Sequence, residues 1–175
     1  MRSRFLLFPA ALIAAAPAHA DTYLTIEKAQ QLIFPGATFE KADFTMSEKQ
    51  VEELMAKTQA TVFRSKVIAW KVSTGGWFLL DQVPGRDDRV TYAIGIGPDG
   101  KLKSIEILIC LPSYGRVRDV EWRDMFRGRR HGEGGDLFNE IPNITGSTLT
   151  VGHITEGVKR LLATYSLFIE SKNAG

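Results

Sequence analysis

Apolar positions recur along the chain with two periods, and the change between them lays out its elements. Near the start, Ile26, Ala29, Leu32 and Ile33 fall on one helical face, Thr25 stands where an N-cap belongs, and Pro35-Gly36 ends the run. Ala37 to Thr45 loses the helical period and reads as extended. Ser47 and Gln50 then form a capping box ahead of Val51, Leu54 and Met55, which predicts a second short helix. From Val67 the helical period gives way to strand-forming residues, with alternation in Val90 to Ile96. Val67 to Ser73 is rich in strand-forming residues, Thr74-Gly75-Gly76 interrupts it, and Trp77 to Val83 resumes it. The turn Pro84-Gly85-Arg86-Asp87-Asp88 leads into Val90 to Ile96. Pro98-Asp99-Gly100 is a strong hairpin signal, with Leu102 to Leu111 as the return strand. Strands joined by turns this short pair antiparallel, because parallel neighbours need a long crossover.

Beyond the strands the helical period returns. Val120 to Phe126 predicts a short helix with Trp122 and Phe126 on one side, at i and i+4. Ile154, Val158, Leu161, Leu162, Tyr165 and Ile169 predict a long last helix, opened by an N-cap at Thr150 or Gly152. Helices before and after an antiparallel sheet make the expected class α+β. No internal repeat, linker or low-complexity tract divides it.

Residues 1 to 20 stand outside that pattern. Arg2 and Arg4 precede an apolar core from Phe5 to Ala16, and Ala18-His19-Ala20 fits a small-residue cleavage site. This is the pattern of a secretory signal peptide, too short to span a membrane. It predicts a single domain over 21–175, periplasmic or secreted. Removal of the leader changes the charge. The chain has 22 basic and 20 acidic residues, and the leader carries two of the basic ones. The remainder is formally neutral, so no global basic field points to nucleic acid or an anionic membrane. The single cysteine, Cys110, lies in the apolar run Ile105 to Leu111 and excludes an intramolecular disulfide.

Candidate chemistry gathers in two places. Thr145-Gly146-Ser147-Thr148-Leu149-Thr150 packs four hydroxyls beside a glycine, just ahead of the last helix. Such a turn either caps the helix or offers a phosphate the free N–H groups and positive dipole of its first turn. The second place is Leu111 to Gly135, with Arg116, Arg118, Arg123, Arg127, Arg129 and Arg130. It is either a surface for an acidic partner or phosphate, or a solvated loop balanced by Asp119, Glu121 and Asp124. His131, Glu133 and Asp136 have glycine-rich spacing that sets no ligand geometry, so no metal site is expected there. His153, at the start of the last helix, reads as a solvated or capping residue. Asn143-Ile144-Thr145 is an N-x-T sequon.

Two blocks of the chain resemble the FMN-binding domain family, related to flavin-carrying subunits of the sodium-pumping quinone reductase and the Rnf electron-transfer complex. The first is Thr145-Gly146-Ser147-Thr148, similar to the family's Ser/Thr-Gly-Ala-Thr motif, followed by Ile154 to Arg160, similar to its following helix. The second is Ser113-Tyr114-Gly115, then Val117-Arg118, Trp122, Phe126 and Gly128. The resemblance implies FMN esterified through its phosphate to Thr148, among Thr145, Gly146, Ser147 and Thr150. It also implies a flavin transferase for maturation and a membrane-bound or periplasmic redox partner. Tyr114, Gly115, Trp122 and Phe126 are the expected flavin-side residues, the three aromatic rings forming a flat bed for the isoalloxazine. Three positions depart from the family pattern: Ser147 replaces the usual alanine, and Pro142 and Pro112 stand where acidic residues are frequent. No general base or nucleophile for substrate turnover stands out. The expected function is therefore extracytoplasmic electron transfer. Two alternatives remain open: a flavin-dependent reductase of a small acceptor, and a flavin-free module of the same fold.

Overall fold

The computed structural model describes residues 20–133 and 140–170. The leader therefore lies outside the described residues except for Ala20, and so does Asp136. In chain order the elements are β1 (Asp21–Thr22), α1 (Ile26–Ile33), β2 (Phe39–Lys41), β3 (Phe44–Thr45), α2 (Glu48–Thr58), β4 (Lys66–Val72), β5 (Trp77–Pro84), β6 (Arg89–Ile96) and β7 (Leu102–Cys110). A 3₁₀ segment (Pro112–Arg118), α3 (Val120–Asp124) and α4 (Thr148–Thr164) follow, and α4 runs on into a π-helical turn (Tyr165–Glu170). Every strand pairing is antiparallel, in the order β1-β7-β6-β5-β4-β2, with β3 also on β4. The chain is α+β, and its sheet is curled.

Alternation along the strands gives the sheet two apolar faces. One carries Val67, Ala69, Leu79, Val83, Val90, Tyr92, Ile94 and Ile105 against α2, α3 and α4. The other carries Val72, Phe78 and Ala93 against Ala29, Ile33 and Phe34 of the α1 region. Strand β6 is covered on both sides, with Val90, Tyr92, Ala93, Ile94 and Ile96 all fully buried. Thr25 caps α1, accepting from the Lys28 N–H, and Ser47 with Gln50 closes the capping box of α2. The stripe on α1 is narrower than its periodicity suggests. Leu32 and Met55 of α2 are 59% and 44% exposed, because the sheet reaches only one side of each short helix.

Helix α4 is the main cover of the larger core. Ile154, Val158, Leu161, Leu162, Tyr165 and Ile169 are all buried in it. It lies so close to β6 that a Cβ on Gly157 would come within 2.2 Å of the Tyr92 Oη. Beneath it, Arg160 pairs with Asp81 and donates to the Thr61 carbonyl at 2.6 Å. The Tyr92 hydroxyl donates to the same Asp81 carboxylate at 2.9 Å. Glu156 accepts from the Thr61 N–H at 2.5 Å. Helix α4 is thereby held against β5, β6 and the segment after α2. Its first turn comes to rest at the end of the sheet where β5 turns into β6.

Candidate functional site

The loop entering α4 is built on two apolar anchors, Ile141 and Ile144, which are 5% and 7% exposed. The Ser147 N–H donates to the Ile144 carbonyl at 2.9 Å, closing a four-residue turn. Gly146 takes the third place of that turn at φ 85°, a left-handed value that favours glycine. Space for a Cβ at Gly146 is open to 4 Å, so the requirement is conformational and not steric.

Helix α4 then begins at Thr148, two residues before the earlier of the two expected caps. The turn sets this start, because the Ser147 carbonyl already accepts from the Val151 N–H at 2.9 Å. Ser147 occupies the cap position, yet its side chain makes no capping hydrogen bond. The N–H groups of Thr148, Leu149 and Thr150 thus face the helix start without an intrahelical acceptor. The same turn sorts the four hydroxyl residues. Thr145 and Thr148 are exposed, while Ser147 and Thr150 are 6% and 0% exposed. Thr150 Oγ1 is a buried hydroxyl with no partner among the described residues.

Two solvent-open depressions flank this loop. One, of about 510 Å³, is lined by Gly146 to Thr150 and by Arg86. The other, of about 590 Å³, is lined by Trp122, Met125, Ile144, Thr145, Asn143 and Arg116 among others. Arg86 arrives from the turn between β5 and β6, which two side chains pin. Tyr114 Oη accepts from the Asp87 N–H at 2.6 Å, and His153 Nδ1 lies 2.8 Å from the Pro84 carbonyl. A carbonyl can only accept, so Nδ1 of His153 carries the proton. His153 is half-buried and ties the turn to α4, a structural role in place of the solvated or capping one expected.

The aromatic bed is largely not presented. Phe126 and Tyr114 are 0% and 2% exposed and pack inside the main core, and neither lines either depression. Gly115 lies in the 3₁₀ segment and also lines neither. Trp122 does reach the second depression, standing edge-to-face on Phe126 at 5.0 Å. Its Nε1 is buried with no partner among the described residues. The i, i+4 spacing of Trp122 and Phe126 therefore reports a core ridge, of which only the tryptophan borders the cavity.

A flavin mononucleotide can be tested against these groups. The unpartnered N–H groups and hydroxyl at the α4 start, with Arg86, suit its phosphate. Trp122 borders the second depression, while its Nε1 is itself enclosed. Thr148 is exposed and lines the first depression. Among the described residues the fit is at the phosphate end, and of the three expected aromatic side chains only Trp122 borders a depression.

The arginine-rich segment is mostly engaged in pairs. Arg123 bridges Glu106 at 2.5 Å and donates to the Ile105 carbonyl, Arg127 meets Asp124 at 2.8 Å, and Arg130 meets Glu170 at 2.9 Å. Arg129 pairs with Glu140, and the Arg118 guanidinium lies 3.7 Å from the Tyr23 ring centre. Among the described residues there is no group of three or more His, Cys, Asp or Glu able to hold a metal ion. No helix among them is long and apolar enough to cross a membrane. No protein-family model matches the chain, and no curated protein matches it in sequence.

Proposed function

We propose that this chain is an extracytoplasmic flavoprotein that carries FMN as a phosphoester on Thr148 and passes electrons between redox partners. The observation that carries this reading is the sorting of hydroxyls at the α4 start. Thr148 is exposed on the first helical turn, behind the positive-φ Gly146, while Ser147 and Thr150 are enclosed. A transferase must reach the hydroxyl it modifies, which favours Thr148 over Ser147. Thr145 is exposed too, but it lies within the turn, ahead of the helix, and lines the depression on the Trp122 side.

When bound, a flavin supplies one- and two-electron transfer that no side chain here provides. The chain's own groups bind and orient. Arg86 and the first-turn N–H groups would hold the phosphate, and Trp122 would border the ring. Residues 1–20 would direct export, a flavin transferase would complete maturation, and a membrane-bound or periplasmic protein would be the redox partner.

The transferase would form a phosphorus–oxygen bond to Thr148 Oγ1 and break the phosphoanhydride bond of a flavin dinucleotide donor, whose nucleoside monophosphate leaves with the hydroxyl proton; the chain gains FMN less one water. In a host that has the transferase, the exported protein should show that mass. Its band should fluoresce after denaturing electrophoresis. Thr148→Ala should lose both signals and Ser147→Ala should keep them. Flavin mass retained in Thr148→Ala would show that the acceptor lies elsewhere. A flavin-free ligand-binding module is the second reading, favoured by the burial of Tyr114 and Phe126. A colourless product under the same conditions would select it.

A further inference from the structure

We infer that Arg86 and the first turn of α4 form a phosphate site that operates without any covalent bond to Thr148. It deepens the flavin reading at the phosphate end, yet it stands on groups that do not include the Thr148 hydroxyl.

Three independent observations converge. The cap position of α4 holds Ser147, a residue able to cap, whose side chain leaves the first-turn N–H groups uncovered. Thr150 lines the same depression, is 0% exposed, and has an Oγ1 without a partner among the described residues. Burying a hydroxyl unpaired is unfavourable, so the Thr150 Oγ1 has hydrogen-bonding capacity left for a ligand. Arg86 faces this turn from a different part of the chain. Its nearest carboxylate is Asp87, 3.8 Å from Nε in a pair with both side chains more than 60% exposed, too loose to occupy the guanidinium. Asp87 is itself turned toward Tyr114, whose hydroxyl lies 3.4 Å from Oδ2.

The donor set describes the ligand. N–H groups in a row, a hydroxyl and a planar guanidinium match the several oxygens of a phosphate dianion. A carboxylate, with two oxygens, would leave donors unused. The ligand class is a phosphate monoester or inorganic phosphate. FMN in its free form belongs to that class and riboflavin does not.

The test uses the full chain made in a host without the transferase, so that Thr148 is unmodified. Binding of inorganic phosphate, FMN and riboflavin is measured in parallel, by calorimetry for phosphate and by flavin emission for the other two. Phosphate and FMN should bind, and riboflavin should bind at least about tenfold more weakly than FMN, the loss of one or two charge-assisted bonds. Arg86→Gln should weaken phosphate and FMN by about tenfold or more and leave riboflavin unchanged. Arg86 is exposed, so this variant should melt where the wild type does. Thr150→Val keeps the side-chain shape and removes the unpaired hydroxyl. It should weaken phosphate binding while leaving the apo melting temperature unchanged or raised, whereas a purely structural threonine would lower it.

Three results would overturn the inference: no phosphate binding at millimolar concentration, equal affinity for FMN and riboflavin, or an Arg86→Gln protein with wild-type phosphate affinity. The flavin reading is judged separately by the mass of the protein from a transferase host. Phosphate binding without flavin mass sinks the ester and keeps this site. Flavin mass without phosphate binding does the reverse.

Discussion

At the scale of single residues, burial separates side chains that look equivalent in the sequence. Trp122 and Phe126 share a helical face, but Phe126 is sealed in the core while Trp122 borders the cavity and has an enclosed Nε1 with no partner among the described residues. Their substitutions should therefore diverge. Phe126→Ala removes a fully buried ring and should cost about 3–5 kcal/mol of stability, whether or not a flavin is bound. Trp122→Phe keeps an aromatic ring against Phe126 and removes only the N–H donor and part of the area. In flavin-loaded protein it should move the redox potential and the absorption maximum, with a much smaller loss of stability than Phe126→Ala. Potentiometry and thermal melts of the two variants check this. An unchanged potential in Trp122→Phe would remove the indole from the flavin site.

At the scale of elements, the β5–β6 turn is the piece that brings a cation to α4. Tyr114, expected as part of a flavin bed, works here as an anchor, with its hydroxyl on the Asp87 N–H. Tyr114→Phe should leave the ring packed and free that amide. The lost bond should cost about 0.5–1.5 kcal/mol. Hydrogen exchange at the Asp87 amide should accelerate, while amides inside β6 stay protected, as expected for local opening. Phosphate affinity should fall with it, because Arg86 sits one residue away. Unchanged exchange at Asp87 would show that His153 alone secures the turn through the Pro84 carbonyl.

For the molecule as a whole, the Asp81, Arg160 and Tyr92 cluster joins the last helix to the middle of the sheet. Burial, and then the Asp81 carboxylate beside it, push the Tyr92 phenol well above its ordinary value of 10.0. The folded state therefore holds this proton more tightly than the unfolded chain. Stability from Tyr92 is fully present below the unfolded value and declines above it, as the unfolded chain ionises first. Denaturant unfolding should show a plateau up to about pH 9 and a fall beyond pH 10. Tyr92→Phe should be less stable at neutral pH by about 0.5–1.5 kcal/mol, the lost hydrogen bond, and should show a shallower alkaline decline. Tyr165 is also raised by burial and then by Glu170, so part of the decline should persist. An unaltered slope in Tyr92→Phe would place the alkaline weakness elsewhere.

Most of the elements were legible in the sequence because the physics that forms them is local. Gly75-Gly76 and Pro98-Asp99-Gly100 turn the chain within a few residues, and Ser47 with Gln50 closes a cap across three. Periodicity in α4 named a buried stripe that holds throughout, since a long helix on a sheet has one side to bury. Short helices were less determinate: α1 leaves Leu32 out because tertiary contact, not period, decides how wide a stripe is covered. The candidate site divides along the same line. The hydroxyl-rich turn and the need for Gly146 were written in consecutive residues. Which hydroxyls would be enclosed, that Tyr114 would anchor a turn, and that Arg86 would face Thr148 depended on how α4 docks across the sheet. Arg86 lies in a turn with no local mark of function. Only the antiparallel pairing of β5 with β6, and the packing of α4 over both, carries it to the helix start, because contacts between distant segments follow from topology and leave no pattern in neighbouring residues.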